Sequence, residues 1–77
     1  MVPLAFVEPG SLVEVLDFRC GGNCSCRLRE MGIVKGCRYR LTAGAKDGPF
    51  ILSDGDIRIG LGVGMAVKVM VQEVSHG

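Results

Sequence analysis

Short stretches of alternating hydrophobic and polar residues run through this 77-residue chain, and glycine-rich turns separate them. The most regular alternation covers residues 38–43, where Tyr39, Leu41 and Ala43 fall on one side and polar residues fall on the other. Such alternation predicts a strand with one buried face. The same reasoning predicts four more strands, at residues 12–18, 50–53, 57–61 and 67–74.

Side-chain parity gives each strand an expected buried face. The residues expected to face inward in the last two strands are Ile57, Ile59, Leu61, Val67, Val69 and Val71. In residues 12–18 apolar side chains occur at both parities, which indicates a strand that is covered on both sides for part of its length. Asp54 and Gly55 lie between the third and fourth strands and predict a two-residue type I′ hairpin turn.

One segment, "CSCRLREMG" at residues 24–32, breaks the strand pattern. Its leucine and its methionine recur at helical spacing, and Gly32 stands where the C′ residue of a helix belongs. Asn23 or Ser25 is the expected N-cap. The pattern therefore predicts a mainly β fold, a small barrel of about five strands with one short helix inserted after the first, as a single domain over residues 1–77.

The charge balance excludes several classes of function. Nine basic and eight acidic residues are mixed along the chain, so there is no basic stripe for nucleic acid and no polybasic membrane anchor.

The longest apolar segment, "IGLGVGMAVKVMV", is too short for a bilayer and contains Lys68. The start of the chain does not read as a signal peptide. We expect a cytoplasmic protein without direct membrane insertion, in a compartment where thiols normally stay reduced.

Three of the four cysteines lie within "CGGNCSC", and three interpretations stay open. Cys20, Cys24, Cys26 and Cys37 are candidate ligands of a transition metal such as iron or zinc, although no cofactor is certain. Alternatively a disulfide such as Cys20–Cys26 closes the glycine-rich loop. In the third interpretation the thiols are unpaired, and Cys24 is a small hydrophobe on the apolar face of the helix.

The remaining candidate chemistry is weak, and we expect no enzyme. The glycines of residues 60–64 lack the spacing and the following helix of a nucleotide-binding loop, and they predict a tight corner between strands. His76 is expected in a solvated tail. Asp47, Asp54 and Asp56 fall in turns, where aspartate makes local hydrogen bonds. No nucleophile has a credible base beside it.

The stretch "LREMGIVKG", Leu28 to Gly36, resembles the signature of the ferrous iron transport protein A (FeoA) family. In that signature a short helix ends in a Leu-Gly or Met-Gly turn, and an apolar residue, a two-residue spacer and a second glycine follow. The matching residues are Leu28, Glu30, Met31, Gly32, Ile33 and Gly36. The segments "PLAFVEPGSLVEVLDF" and "GPFILSDGDIRIGLGVGMAVKVMV" are similar to the flanking parts of the family, so the resemblance covers about residues 3 to 74.

The resemblance implies an SH3-like β-barrel and a cytosolic accessory protein of the FeoB ferrous iron permease, which carries a G-protein domain. The same fold occurs as the C-terminal domain of iron-dependent repressors. Two positions depart from the family pattern: Gly62, where an arginine is frequent, and Met65, where an acidic residue is frequent. The family does not account for the cysteine cluster either.

Two functional hypotheses follow. In the first, the protein is a regulatory adaptor of ferrous iron uptake that docks on the cytoplasmic G-protein region of the permease, and the candidate contact residues are Arg27, Arg29, Glu30, Met31 and Lys35. In the alternative, it is a metal-sensing SH3-like module that holds a transition metal through its cysteines. Exposed edge strands of a small barrel also favour a homo-oligomer.

Overall fold

The chain folds into a six-stranded antiparallel sheet with two short helices in the computed structural model, which describes residues 1–44 and 49–74. The elements are β1 (Val2–Pro3), a 3-10 turn (Leu4–Phe6), β2 (Leu12–Phe18), α1 (Gly22–Glu30), β3 (Arg38–Ala43), β4 (Phe50–Asp54), β5 (Ile57–Leu61), α2 (Val63–Ala66) and β6 (Val69–Glu73). The strand order is β1-β6-β2-β3-β4-β5. The expected mainly β, SH3-like architecture is confirmed, with one strand (β1) and one short helix (α2) beyond those predicted, whereas closure into a barrel stays a prediction.

The mixed parity of β2 comes from a β-bulge. Val15 pairs with Val71 of β6, but the next pair is Asp17 with Met70, so one extra residue lies in β2 between them. A bulge switches the side-chain parity, because two residues of one strand then oppose one residue of the other. Val13 and Val15 before the bulge and Phe18 after it are therefore all buried. The expected cover on both sides of the strand is not needed to explain the pattern.

A largely aliphatic core lies between the sheet, α1 and the turn that follows β1. Its members are Leu4, Val7, Val13, Val15, Phe18, Leu28, Ile33, Tyr39, Leu41, Phe50, Leu52, Ile59, Leu61, Ala66, Val69 and Val71. Ile57 was expected to share this core with Ile59 and Leu61, but it is 60% exposed. It is the first residue of β5 and pairs with Asp54 beside the hairpin turn, beyond the reach of the core.

The β4–β5 hairpin forms where it was expected, but its turn is different. Asp54 is the last residue of β4 and pairs with Ile57, so Gly55 and Asp56 are the two loop residues. Gly55 has φ +62°, and no residue other than glycine has a positive φ among the described residues. A type I′ turn needs positive φ at both loop residues, whereas type II′ needs it at the first one only. The φ pattern therefore fits type II′.

The last strand begins two residues later than its alternation predicts. Val67 was assigned to that strand, but it is the C-cap of α2 and is 41% exposed. The chain passes from β5 through Gly62 into this four-residue helix, and β6 starts at Val69. The glycine-rich segment 60–64 thus spans the end of β5 and the start of a helix, which agrees with the expected corner.

Helix α1 ends in a complete Schellman motif. Gly32 has φ +103° and occupies C′, its N–H donates to the Arg29 carbonyl, and the Ile33 N–H donates to the Leu28 carbonyl at 2.9 Å. Leu28 and Ile33 are both fully buried, so the hydrophobic contact of the motif is also in place. The predicted N-cap is wrong: α1 starts at Gly22 after an N-cap glycine, and no side chain caps it.

Candidate functional site

Two of the four cysteines are joined to each other. Cys20 follows β2, Cys24 lies in the first turn of α1, and their sulfur atoms form a disulfide with the Cα atoms 5.7 Å apart. Of the three interpretations of the cysteines, the structure contains a disulfide. Cys20 is bonded to Cys24, whereas the example given in the prediction was Cys20–Cys26. The helical turn explains the change: it brings Cys24 back toward the end of β2 and leaves Cys26 exposed.

A third sulfur atom lies beside this pair. Met65 Sδ of α2 is 3.9 Å from Cys24 Sγ, although the two residues are 41 positions apart in the sequence. Cys20, Cys24 and Met65 are all partly buried and pack against the core. They form a sulfur cluster at the junction of β2, α1 and α2, which we call the three-sulfur cluster.

The predicted four-cysteine metal site is not brought together in this structure. Cys26 and Cys37 are exposed free thiols, and Cys37 lies in the turn that precedes β3. No group of three or more histidine, cysteine, aspartate or glutamate side chains suits a metal ion within residues 1–44 and 49–74. A site made of Cys20, Cys24, Cys26 and Cys37 therefore stays a prediction, and it would require the Cys20–Cys24 disulfide to be reduced.

The predicted docking residues are all exposed and lie on or next to α1. Arg27, Arg29 and Glu30 project from the last two turns of the helix, Met31 is its C-cap, and Lys35 lies in the following loop. Arginines in the last turn also interact favourably with the helix dipole, which is a structural reason for their position. We call these five residues the α1 face.

Lys35 is held by local contacts. Its Nζ atom lies 3.3 Å from Asp17 Oδ1 and 5.4 Å from the centre of the Phe18 ring. The Phe18 backbone N–H donates to the same Asp17 oxygen at 2.8 Å. This hydrogen bond, followed by the Lys35 ammonium, lowers the pKa of Asp17 below its ordinary value, so Asp17 stays ionised and keeps its attraction for Lys35.

Shallow grooves border α1 on both sides. One groove of about 500 Å³ runs between α1 and α2, and its lining consists of Asn23, Cys24, Cys26, Arg27, Glu30, Met65 and Lys68. On the other side a second groove is lined by Cys26, Arg29, Glu30 and Val34, and a third is lined by Phe18, Ser25, Arg29, Val34 and Lys35. Four of the five α1-face residues thus line a groove, the exception being Met31. A partner that bound to both sides of α1 would contact charged and apolar side chains in alternation.

Two of the three turn carboxylates lie among the described residues. Asp54 and Asp56 are exposed at the β4–β5 turn, and Asp54 pairs through its backbone with Ile57. Asp47 and His76 lie outside the described residues, so their predicted roles in a turn and a tail are untested.

Sequence reasoning missed Met65 as a neighbour of the cysteines. It also missed Tyr39 as the residue that fixes the end of α1: the Tyr39 hydroxyl donates to the Gly32 carbonyl at 2.8 Å and accepts the Val34 N–H at 3.0 Å. Nothing in the local sequence marks either contact, because each depends on how separate elements pack. The one available signal was the departure of Met65 from the family pattern.

The family model described as the FeoA domain matches residues 2–73, almost the whole chain. A relative from Methanocaldococcus jannaschii, provisionally named Fe(2+) transport protein A, is 35% identical over 77 residues, which is all of this chain and 93% of the relative. This chain belongs to the FeoA domain family. The resemblance seen in the sequence is therefore confirmed.

Solved structures agree with the family assignment. The crystal structure of an iron uptake regulatory protein (FeoA) is 33% identical and superimposes with a TM-score of 0.82, covering 95% of this chain and 96% of the other. The NMR structure of a FeoA-like protein from Clostridium acetobutylicum gives a TM-score of 0.81 at 22% identity, over 99% of this chain and 90% of the other. The second match supports the fold alone.

The two departures from the family pattern have clear structural places in this FeoA-family chain. Gly62 is the N-cap of α2, and Met65 is the residue of α2 that reaches the disulfide. Among the residues that the structure describes, no helix is long and apolar enough to cross a membrane.

Proposed function

We propose that this protein is a cytoplasmic, non-catalytic accessory protein of ferrous iron uptake that binds the G-protein region of a FeoB-type permease. Family membership supports the role in ferrous iron transport. The observation that carries the docking step is the α1 face, which is exposed, mostly charged and bordered by grooves on both sides. Grooves of this kind suit an inserted loop or helix of a partner.

The proposed mechanism is a shift in the conformational population of the permease. A small domain without a catalytic site changes a partner only if it binds one state of that partner more tightly than another. The G-protein region has at least a nucleotide-bound and a nucleotide-free state, so preferential binding to one of them would change the rate of uptake. The α1 face supplies charges of both signs, which favours a specific orientation over non-specific attraction.

The test is a direct binding measurement between this protein and the purified G-protein region of the permease from the same organism. Calorimetry with GDP, with a non-hydrolysable GTP analogue and without nucleotide should give different affinities for the three states. Arg29→Glu should weaken the tightest of these by roughly tenfold or more. Absence of binding in all three states would overturn the docking proposal.

Arg58→Glu is the matched control. Arg58 is an exposed arginine on β5, outside the grooves beside α1, and its reversal makes the same change in net charge. Binding should be nearly unaffected by it. Equal losses from the two variants would mean that net charge, and not the α1 face, governs the interaction.

A further inference from the structure

The three-sulfur cluster has the spacing of a soft metal site. Two sulfur ligands that each lie about 2.3 Å from one ion are themselves roughly 3.7 to 4.0 Å apart. Cys24 Sγ and Met65 Sδ are 3.9 Å apart, which matches this spacing. Cys20 Sγ is bonded to Cys24 Sγ, and breaking that bond frees a second thiolate at the same place.

The surroundings of the cluster also suit a bound cation. All three side chains pack against the hydrophobic core, so they are held in place on their protein side. The groove between α1 and α2 is lined by Cys24 and Met65 and opens to solvent, which gives an ion a route of entry. Cys24 also lies in the first turn of α1, whose N-terminus has no side-chain cap, and a helix N-terminus favours negative charge on a nearby thiolate.

The donor set selects the metal. Two thiolates and one thioether are soft ligands, and soft ligands prefer Cu(I) to the harder ferrous ion. The Met65 thioether is the selective element, because Zn²⁺ in proteins is bound by cysteine, histidine and carboxylate ligands.

We propose that the reduced form of this protein binds one Cu(I) ion through Cys20 Sγ, Cys24 Sγ and Met65 Sδ. The site opens when a dithiol reductant exchanges with the Cys20–Cys24 disulfide: the reductant is oxidised to its own disulfide, and both cysteines become thiols. Binding of Cu(I) then displaces the two thiol protons. In the oxidised form neither Cys20 nor Cys24 has a thiolate to offer, so the disulfide acts as the off state of this three-ligand site. This proposal is independent of docking to the permease.

The test uses the full chain under anaerobic conditions. The protein is reduced with dithiothreitol, freed of it by gel filtration, and titrated into a solution of the Cu(I)–bicinchoninate complex, whose colour is lost when the protein removes the metal. The reduced chain should remove about one Cu(I) per molecule. The oxidised chain should remove none. A reduced chain that removes no copper overturns the proposal.

Single substitutions separate this cluster from the other thiols. Cys20→Ser and Cys24→Ser should abolish the removal of copper, and Met65→Leu, which conserves volume, should weaken it by roughly tenfold. Cys37→Ser is the matched control, because it removes an exposed thiol outside the groove and should have no effect.

Cys26→Ser tests the nearest competing ligand, since Cys26 is exposed and lines the same groove. It should leave copper binding unchanged. A loss of binding with Cys26→Ser, together with no effect of Met65→Leu, would overturn the assignment of the thioether ligand. Because Met65→Leu and Cys26→Ser are conservative, their folded state can be verified by thermal melting before the titration.

Discussion

At the scale of single residues, Tyr39 combines a ring in the apolar core with a hydroxyl that makes two hydrogen bonds. It is 2% exposed, and its hydroxyl both donates to Gly32 and accepts from Val34. These two hydrogen bonds fix the loop that leaves α1, directly beside the proposed docking surface. Burial is the main cause that raises the pKa of Tyr39 above its ordinary value of 10.0.

Tyr39→Phe should lower the free energy of unfolding at neutral pH by about 1 to 2 kcal/mol, because it removes two hydrogen bonds without changing the packed ring. The pH dependence has a definite sign. The folded state holds the phenolic proton more tightly than the unfolded state, so the stability of the wild type should fall as the pH rises through the range above 10.0. Urea unfolding of both proteins at neutral pH and at about pH 10.5 measures both effects.

The sequence provides a direct check on this prediction. Tyr39 is the one tyrosine of the chain, so an ultraviolet pH titration of the folded protein reports on this hydroxyl alone. An ordinary tyrosine titration in the folded state would contradict the assigned burial effect. Tyr39→Phe should also remove the extra loss of stability at alkaline pH, and a variant as pH-sensitive as the wild type would place the cause elsewhere.

At the scale of elements, α1 depends on its C-terminal motif more than on its start. Its N-terminus has two glycines and no side-chain cap, whereas its end is fixed by Gly32, the Schellman hydrogen bonds and the contact between Leu28 and Ile33. A residue with a Cβ atom at C′ has to adopt the left-handed conformation at a cost. Replacing Gly32 with alanine, which adds one methyl group, should therefore disturb the end of this helix.

Gly32→Ala should reduce the free energy of unfolding by about 1 to 2 kcal/mol. Its φ is +103°, and an added Cβ would also lie 3.4 Å from Ile59 Cδ1. Gly64→Ala in α2 is the matched control, because its φ is not positive and an added Cβ meets no atom within 4 Å. It should leave the free energy of unfolding unchanged or raise it by up to about 1 kcal/mol, because alanine is the better helix former. Equal losses in thermal melts of the two variants would contradict the role assigned to the Schellman motif.

The elements that the sequence predicts well are those with a strong local pattern. The alternation in β3 and the Gly32 stop signal gave correct positions, since both depend on neighbouring residues. β1 was missed because Val2 and Pro3 carry no alternation and form a strand only by pairing with β6. Val67 was misplaced because an unbroken alternation of valines continues from the end of α2 into β6.

The candidate site was predictable only in part. The exposure of the α1 face follows from its charged composition, and the cysteines stand out by their spacing. Their pairing depends on where α1 begins. That start is hard to predict because Gly21 and Gly22 stand there and no side chain caps the helix. The contact between Cys24 and Met65 depends on how the whole fold places α1 beside α2, and no local pattern reports such a long-range neighbour.

At the scale of the whole molecule, the disulfide should matter because the domain is small. A chain of 77 residues buries only about 60% of its unfolded surface, so few kilocalories separate its folded and unfolded states. A disulfide stabilises a domain mainly by restricting the unfolded chain, and short loops give a smaller effect than long ones. The Cys20–Cys24 loop has a sequence separation of four, which puts the expected effect near the lower end.

Reduction of the Cys20–Cys24 disulfide should therefore lower the free energy of unfolding by about 2 kcal/mol. For a domain of this size that corresponds to a fall in Tm of roughly 10 °C. Melting of the oxidised and reduced protein by circular dichroism, with a copper chelator present, measures this without a contribution from bound metal. Cys37→Ser should respond to reductant as the wild type does, whereas the double variant Cys20→Ser/Cys24→Ser should melt at one temperature with or without it. If the Tm of the wild type were the same with and without reductant, the disulfide would not contribute to stability. Its role would then be limited to the chemistry of the three-sulfur cluster.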